Sequence, residues 1–412
     1  MIKLNFMEKL LEGIEVEWKK LGEVAELYGG LSGKNKEDFD NGNALYISYK
    51  NIFDNIEINF DKLESVKVSD SENQHEVKYG DILFTGSSET AEEAGISSSV
   101  TKKFEDRVYL NSFSFGVRFN DDIHMMPQFS KYLFRSHFMR TEIAKTASGV
   151  TRFNISKARF KKLSIPIPPI KVQEEIVRIL DTFTELTAEL IAELAARKKQ
   201  YTYYRDKLLT FEEVEVEWKA LGEVAEIFDS LHQTPQYSDH GLSMIRVTDI
   251  KGGFLNLEDT LKVSNEIFRI FTKKYLPQKY DLVMSRVGSY GNVSIIPSDN
   301  VVCMGQNTVV IHPLINSKYL YYILLSNSVQ SFIERNVRGG SQKTLSLKSI
   351  KAIPIPIVNE MEQARIVSIL DKFDVLTSSM TEGLPREIEL RQKQYEYYRN
   401  MLLSFPKEGV EE

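Results

Sequence analysis

Two triplets, Glu17-Trp18-Lys19 and Glu217-Trp218-Lys219, carry the Glu-x-Lys spacing that metal-dependent nucleases place around a scissile phosphate. Neither has a suitable acid before it, and a tryptophan opening a domain reads more simply as a core anchor. Other catalytic signatures are missing. No Gly-x-Gly-x-x-Gly opens a helix after a strand, and no Gly-x-x-x-x-Gly-Lys-Ser/Thr occurs. No Asn-Pro-Pro or Asp-Pro-Pro tetrapeptide of an amino-methyltransferase is present. The six histidines are scattered, and the closest pair that stands out, His232 and His240, has no cysteine beside it. Zinc-site spacing is therefore absent, and the single Cys303 excludes a disulfide framework.

The side chains that remain suit recognition. Lys34, Asn35 and Lys36 lie in a polar loop at 30–39, and His232, Gln233 and Thr234 in a corresponding loop at 230–240. The segments that follow carry Ser48 and Lys50, or Arg246 and Thr248. A second loop holds Ser87 and Ser88, or Arg286, Ser289 and Tyr290. A third holds Thr151, Arg152 and Asn154, or Gln342, Lys343 and Thr344. Arg and Lys pair with guanine edges and Asn and Gln with adenine edges, while Ser, Thr and backbone amides hold phosphates. Phe153 and Tyr290 read as packing residues rather than as wedges between bases.

Net charge is −6, which at first argues against an anionic ligand. Its distribution argues the other way. Between Glu142 and Glu174 stand Lys145, Arg152, Lys157, Arg159, Lys161, Lys162 and Lys171, with no acid among them. The interval from Glu334 to Glu360 is likewise acid-free and holds Arg335, Arg338, Lys343, Lys348 and Lys351. One basic stretch is an ordinary solvated surface; two at matching positions favour a shared anionic ligand.

The match is general, because the chain repeats itself. Glu-Val-Glu-Trp-Lys-x-Leu-Gly-Glu-Val-Ala-Glu begins at Glu15 and returns at Glu215. Arg-x-Lys-Gln-Tyr-x-Tyr-Tyr-Arg begins at Arg197 and at Arg391. Between them, Ile176, Ile179, Leu180, Asp181 and Phe183 recur as Ile366, Ile369, Leu370, Asp371 and Phe373. Two similar domains related by a pseudo-twofold are expected, and such pairs commonly match the half-sites of duplex DNA. The loops differ between the copies while the framework does not, as expected of modules reading different sequences.

Each copy runs from a strand-rich region to a helical one. Alternating segments predict strands at 45–52, 81–85, 112–119, 244–250, 281–285 and 308–311, with shorter helices at 129–145 and 317–335. Ile165-Pro166-Ile167-Pro168 and Ile353-Pro354-Ile355-Pro356 stiffen an extended exit, and no helix can start until they are passed. Val172, Ile176, Ile179, Phe183, Leu186, Leu190 and Leu194 then form a narrow apolar seam on a helix over 171–209, roughly 58 Å long. Asn359 and Glu362 predict a capping box for the second such helix. Gly383-Leu384-Pro385 interrupts it, so a break is expected there with Pro385 starting a new segment. The two seams should pair antiparallel. Because Trp218 follows the first long helix closely, Trp18 should lie beside the end of the second, bringing the termini together.

Trp-Lys-x-Leu-Gly-Glu-Val, Ile-Pro-x-Pro before Ile-Val-x-Ile-Leu-Asp-x-Phe, and Gln-Tyr-x-Tyr-Tyr-Arg, each present twice, make the chain resemble the specificity subunit of type I restriction-modification systems. Thr187-Ala188-Glu189-Leu190 followed by Ile191-Ala192-Glu193-Leu194 is similar to the tandem tetrapeptide of the type IC branch. The resemblance implies an α+β fold of two strand-rich target-recognition domains joined by two long antiparallel helices. Residues 1–170, with an N-terminal arm, and 214–358 would be the domains, and 171–213 and 359–412 the conserved helices. It implies no catalytic residue here. Double-stranded DNA and two modification subunits would be partners, the latter docking at Tyr203, Arg205, Tyr397 and Arg399, with restriction subunits joining them. S-adenosylmethionine, ATP and Mg are then expected in those subunits and no cofactor in this chain. The competing class is a protein-binding coiled-coil scaffold without DNA specificity, which leaves the paired basic stretches without a cause. No signal-peptide pattern and no apolar run near the ~18 residues of a membrane span are present, so a cytoplasmic protein is expected.

Overall fold

Trp18 and the Ile-Pro-Ile-Pro run stand at opposite ends of the first copy, yet they meet as neighbouring strands. Glu17–Lys20 pairs antiparallel with Ser164–Ile167, Trp18 opposite Pro166. Glu217–Ala220 pairs in the same register with Pro354–Ile357, Trp218 opposite Pro356. A two-stranded ladder suits these prolines, since a strand with one partner has a face on which no N–H is required. The computed structural model describes residues 16–211, 216–339, 343–378 and 383–406. Its contacts divide the chain into two units, one of residues 1–188 with 389–412 and one of residues 189–388.

In the first unit a four-stranded antiparallel sheet has the order Ala25–Gly29, Ser114–Phe119, Ile82–Thr85, Ser97–Ser99. A three-stranded sheet sets Ala44–Ile47 between Glu64–Val66, antiparallel, and Val108–Leu110, parallel. The second unit repeats both. Its four-stranded sheet runs Ala225–Asp229, Thr308–Pro313, Leu282–Ser285, Val293–Ile295. Its smaller sheet has Leu242–Ile245 between Leu261–Val263 and a parallel Val302–Met304.

Aromatic packing closes the first core. Phe84 stacks on Phe115 at 5.4 Å, and Phe160 meets both edge-on at 5.0 and 5.1 Å. Burying each ring contributes roughly 1.5–3 kcal/mol. A buried aspartate anchors the central strand of each unit. Arg118 grips both oxygens of Asp81 at 2.8 and 2.7 Å, and Tyr28 donates to it at 2.6 Å. In the second unit His312 lies 2.7 Å from Asp281 and Tyr275 donates to it at 2.7 Å.

Four expectations need correction. The strand predicted at 45–52 ends at Ile47, and Tyr49–Asp54 is a helix with Ser48 at its N-cap position. Tyr49 and Phe53, one turn apart, stack at 6.0 Å, so their spacing was helical rather than alternating. The strand predicted at 244–250 ends at Ile245, and Val247–Asp249 is a turn of 3-10 helix. The helices predicted at 129–145 and 317–335 are each broken in two, because Ser136 and Ser326 cap the segments His137–Ala144 and Asn327–Asn336. The seam is also less uniform than its spacing: Val172 and Ile176 are buried and Ile179 half-buried, whereas Leu186 is 40% exposed.

The long helix runs from Ile170 to Leu208 without a break. Its first part belongs to the first unit, where it faces the last turns of Leu384–Leu402. Tyr132 donates to Asp181 at 2.6 Å while its ring meets Tyr395, whereas Phe129, almost one turn earlier, meets Phe405. Met126 N–H donates to Gln173. Moving from 395 to 405 therefore moves from 181 towards 173, and the two segments run antiparallel. In the second unit Tyr322 donates to Asp371 at 2.7 Å and Asn316 N–H to Gln363, the same pair of bonds shifted by one repeat. Asn359 caps Glu360–Ser378 by accepting from Glu362 N–H at 2.9 Å. Gly383 then has φ +80, a conformation that favours glycine, immediately before Leu384–Leu402 begins.

Candidate nucleic-acid interface

In the first unit, Ser87–Ser88, Phe153–Ile155 and Ala147–Ser148 make a small sheet that brings the second and third loops together. Asn154 lies opposite Ser87, and Arg152 Nε donates to Ser87 Oγ at 3.1 Å. Thr151, Arg152 and Asn154 are exposed, and Ser88 is half-buried. Tyr49 joins them by donating to the Ser87 carbonyl at 2.9 Å. Tyr49, Phe53, Glu89 and Glu93 line the same open cavity as Ser87, Ser88, Thr151 and Arg152. These four were not among the residues singled out from the sequence. The Ser-Ser-Glu run at 87–89 was a usable signal; the helical turn carrying Tyr49 and Phe53 was hidden by the strand reading.

The loop at 30–39 behaves differently. Lys34 bonds Glu72 at 2.5 Å and the Lys67 carbonyl at 2.6 Å, and its side chain is only 6% exposed. That bond, with the Ser69 amide, pulls the Glu72 carboxyl down to about 2. Lys34 thus shapes its loop. Asn35 caps the turn Lys36–Phe39 through Glu37 N–H. Lys36 and Lys50 remain exposed, while Ser48 is half-buried.

In the second unit the corresponding loops converge on one ion pair. Arg286 Nη1 meets Asp229 at 2.7 Å and Nε donates to the Leu345 carbonyl at 3.1 Å. Asp229 also faces His232 Nε2 at 3.4 Å. The Arg286 side chain is 12% exposed, so it ties the loops together instead of reaching outwards. Thr344 exchanges backbone hydrogen bonds with Arg338 and bridges to Val287. Ser289 and Lys343 are exposed, and Tyr290 packs on the core as its reading required. Arg246 is held by Asp249 at 3.1 Å, which raises its pKa, and Thr248 is exposed beside it. Gln233 adjoins Thr234, whose hydroxyl lies 3.4 Å from the Gln306 amide. Gln342 lies outside the described residues.

The repeated tyrosine blocks divide their rings in one way in both units. Tyr204 stacks on Phe373 at 5.9 Å, and Tyr398 on Phe183 at 5.1 Å. Tyr201 and Tyr395 pack against the cores. Tyr203 and Tyr397 point outwards, 60% and 46% exposed. Arg205 bonds the neighbouring Asp206, and Arg399 lies over Tyr395.

Two copies of one strand-rich module, each gathering polar loop side chains, define a tandem recognition protein. A profile of the type I restriction modification DNA specificity domain matches residues 14–197 and again 213–390. The specificity subunit of the type I restriction enzyme EcoR124I/EcoR124II from Escherichia coli is 32% identical, over 99% of this chain and 98% of its own. A putative type I specificity subunit from Haemophilus influenzae is 34% identical over 97% and 98%. The chain belongs to the family of type I restriction-modification DNA specificity subunits. Two solved structures share the fold at 17% identity. One, from work on assembly and conformational transition of the type I system, has a TM-score of 0.65 over 94% of this chain and 97% of its own. The other, the HsdS subunit of Thermoanaerobacter tengcongensis, has 0.51 over 94% and 95%. The family role is recognition of DNA sequence, and the reading as a scaffold without DNA specificity is set aside. Among the described residues no helix is long and apolar enough to cross a membrane.

Proposed function

We propose that each strand-rich domain reads one half of an interrupted duplex target, the first through the loops around Arg152 and the second through the loops that Arg286 and Asp229 hold together. The observation that carries this is the pairing of a repeated frame with unlike loop clusters. Among the described residues the Arg152 guanidinium bonds only through Nε, whereas Arg286 is consumed internally. Lys36, Lys50, Lys343 and the exposed loop hydroxyls then serve phosphates. Two modification subunits dock at the two outward tyrosines, Tyr203 and Tyr397, one for each repeat. S-adenosylmethionine, ATP and Mg act in the modification and restriction subunits, and this chain supplies sequence choice alone.

DNA binding by the complex of this chain with its modification subunit, titrated with salt, tests the reading. Log affinity should fall linearly with log salt, and a cognate duplex should keep an advantage over a random one. Binding that ignores salt and sequence would refute it.

A further inference from the structure

The cavity beside Arg152, about 480 Å³ and open to solvent, combines charges that do not neutralise one another. One wall presents the Arg152 guanidinium, tied by Nε to Ser87. Another presents Glu89 and Glu93, and Glu93 accepts from Ser88 at 3.1 Å. No ion pair joins Arg152 to either acid among the described residues. The second unit does the opposite at its corresponding loop, pairing Arg286 with Asp229.

Unpaired opposite charges on one cleft select the ligand. A phosphate would suit Arg152 but would be repelled by both carboxylates. A protein segment bearing a single charge would leave one wall unmatched. The major-groove edge of a G·C pair carries both complements side by side: guanine N7 and O6 accept from an arginine, and cytosine N4 donates to a carboxylate. From this juxtaposition we infer that Arg152 and Glu89 together read a G·C base pair in the first half-site. This rests on the reading of the chain as a sequence-specific DNA binder.

The acid-bearing loop is built to hold such a contact. Arg140 Nη2 donates to the carbonyls of Glu92 and Ala94 at 2.6 and 2.7 Å, and Nη1 to that of Gly95. Gly95 has φ +67, and a Cβ there would come within 2.6 Å of Ile143. Tyr49, bonded to the Ser87 carbonyl and stacked on Phe53, braces the opposite side. Arg140 is a positioning residue, and a fixed loop avoids the ordering cost of closing on the base.

The test uses the chain co-produced with its modification subunit in cells, with adenine methylation mapped across the genome. The wild type should methylate a bipartite motif with a G·C pair in one half. Arg152→Ala and Glu89→Gln should each relax that position, by about tenfold or more in discrimination, while the other half and the spacer stay unchanged. The unaltered half reports that the variant is folded. Two results would overturn the inference: a first half-site without any G·C pair, or an unchanged motif in Glu89→Gln with binding strengthened evenly on all DNA. A wild-type complex that methylates no bipartite motif would instead sink the functional reading beneath it.

Discussion

The indole Nε1 of Trp18 donates to the main-chain carbonyl of Pro406 at 2.9 Å, closing a separation of 388 residues. The ring also meets Phe138 edge-on at 5.7 Å. The first domain is thereby sealed by the chain that leaves the last helix, where Leu402, Leu403 and Phe405 are buried in its core. Trp18→Phe keeps most of the ring and removes the donor, so it should cost about 1 kcal/mol. Thermal unfolding followed by tryptophan and circular dichroism signals checks it; an unchanged midpoint would make the contact incidental.

That closure was legible in the sequence. Trp218 follows the first long helix at a fixed interval, and the repeat transfers the same neighbour to Trp18. The proline exits, the helix from Ile170 to Leu208 and the break before Leu384 were equally readable, since each depends on local chemistry. Partners distant in sequence were not. Nothing near Lys34 announces Glu72, and nothing near Arg286 announces Asp229, so both basic residues looked available for DNA. A charge's neighbours are set by topology, which loop composition does not encode.

The Arg286–Asp229 pair gives a contrast between the two copies. Removing Arg286 strands a largely buried carboxylate, at a cost of about 3 kcal/mol, and frees the loops it gathers. Arg286→Ala should therefore lower the unfolding midpoint and loosen the whole second half-site. Arg152→Ala should leave stability within about 0.5 kcal/mol. Denaturant melts of both variants decide, and equal losses would contradict the assignment.

The two lysines of the first loop should part in the same way. Lys36 is exposed, whereas the Lys34 side chain is only 6% exposed. Lys36→Ala should reduce the slope of log affinity against log salt by about 0.9 if it meets one phosphate. Lys34→Ala should instead relax the loop at 30–43. Because the Glu72 pKa is depressed in the fold, the stability its bond contributes is present above the ordinary carboxylate value. It is lost as pH falls towards about 2. NMR titration of Glu72 in the Lys34→Ala variant should show that depression reduced, with the share due to the Ser69 amide and Gln74 remaining.

Gly383 marks where the second long helix restarts. A Cβ there would lie 2.4 Å from the Val375 carbonyl and 2.8 Å from that of Leu376, with φ +80. Gly383→Ala should cost about 1–3 kcal/mol, measurable as a lower thermal midpoint.

Leu190 and Leu194 close successive tetrads in the uninterrupted Ile170–Leu208 helix. One further tetrad after Leu194 adds ~6 Å of helix, against ~3.4 Å per base pair. The inserted chain should lengthen the tolerated spacer and keep both half-sites. Altered half-sites with an unaltered spacer, seen by methylome sequencing, would refute this ruler.

The central claim is that each copy reads one half of the target independently. Its most direct test replaces residues 221–353 with the matching segment of a family member of different specificity, then maps adenine methylation in cells making the hybrid complex. One half of the motif should change to the donor's while the other half persists. Changes in both halves, or in neither, would contradict the account.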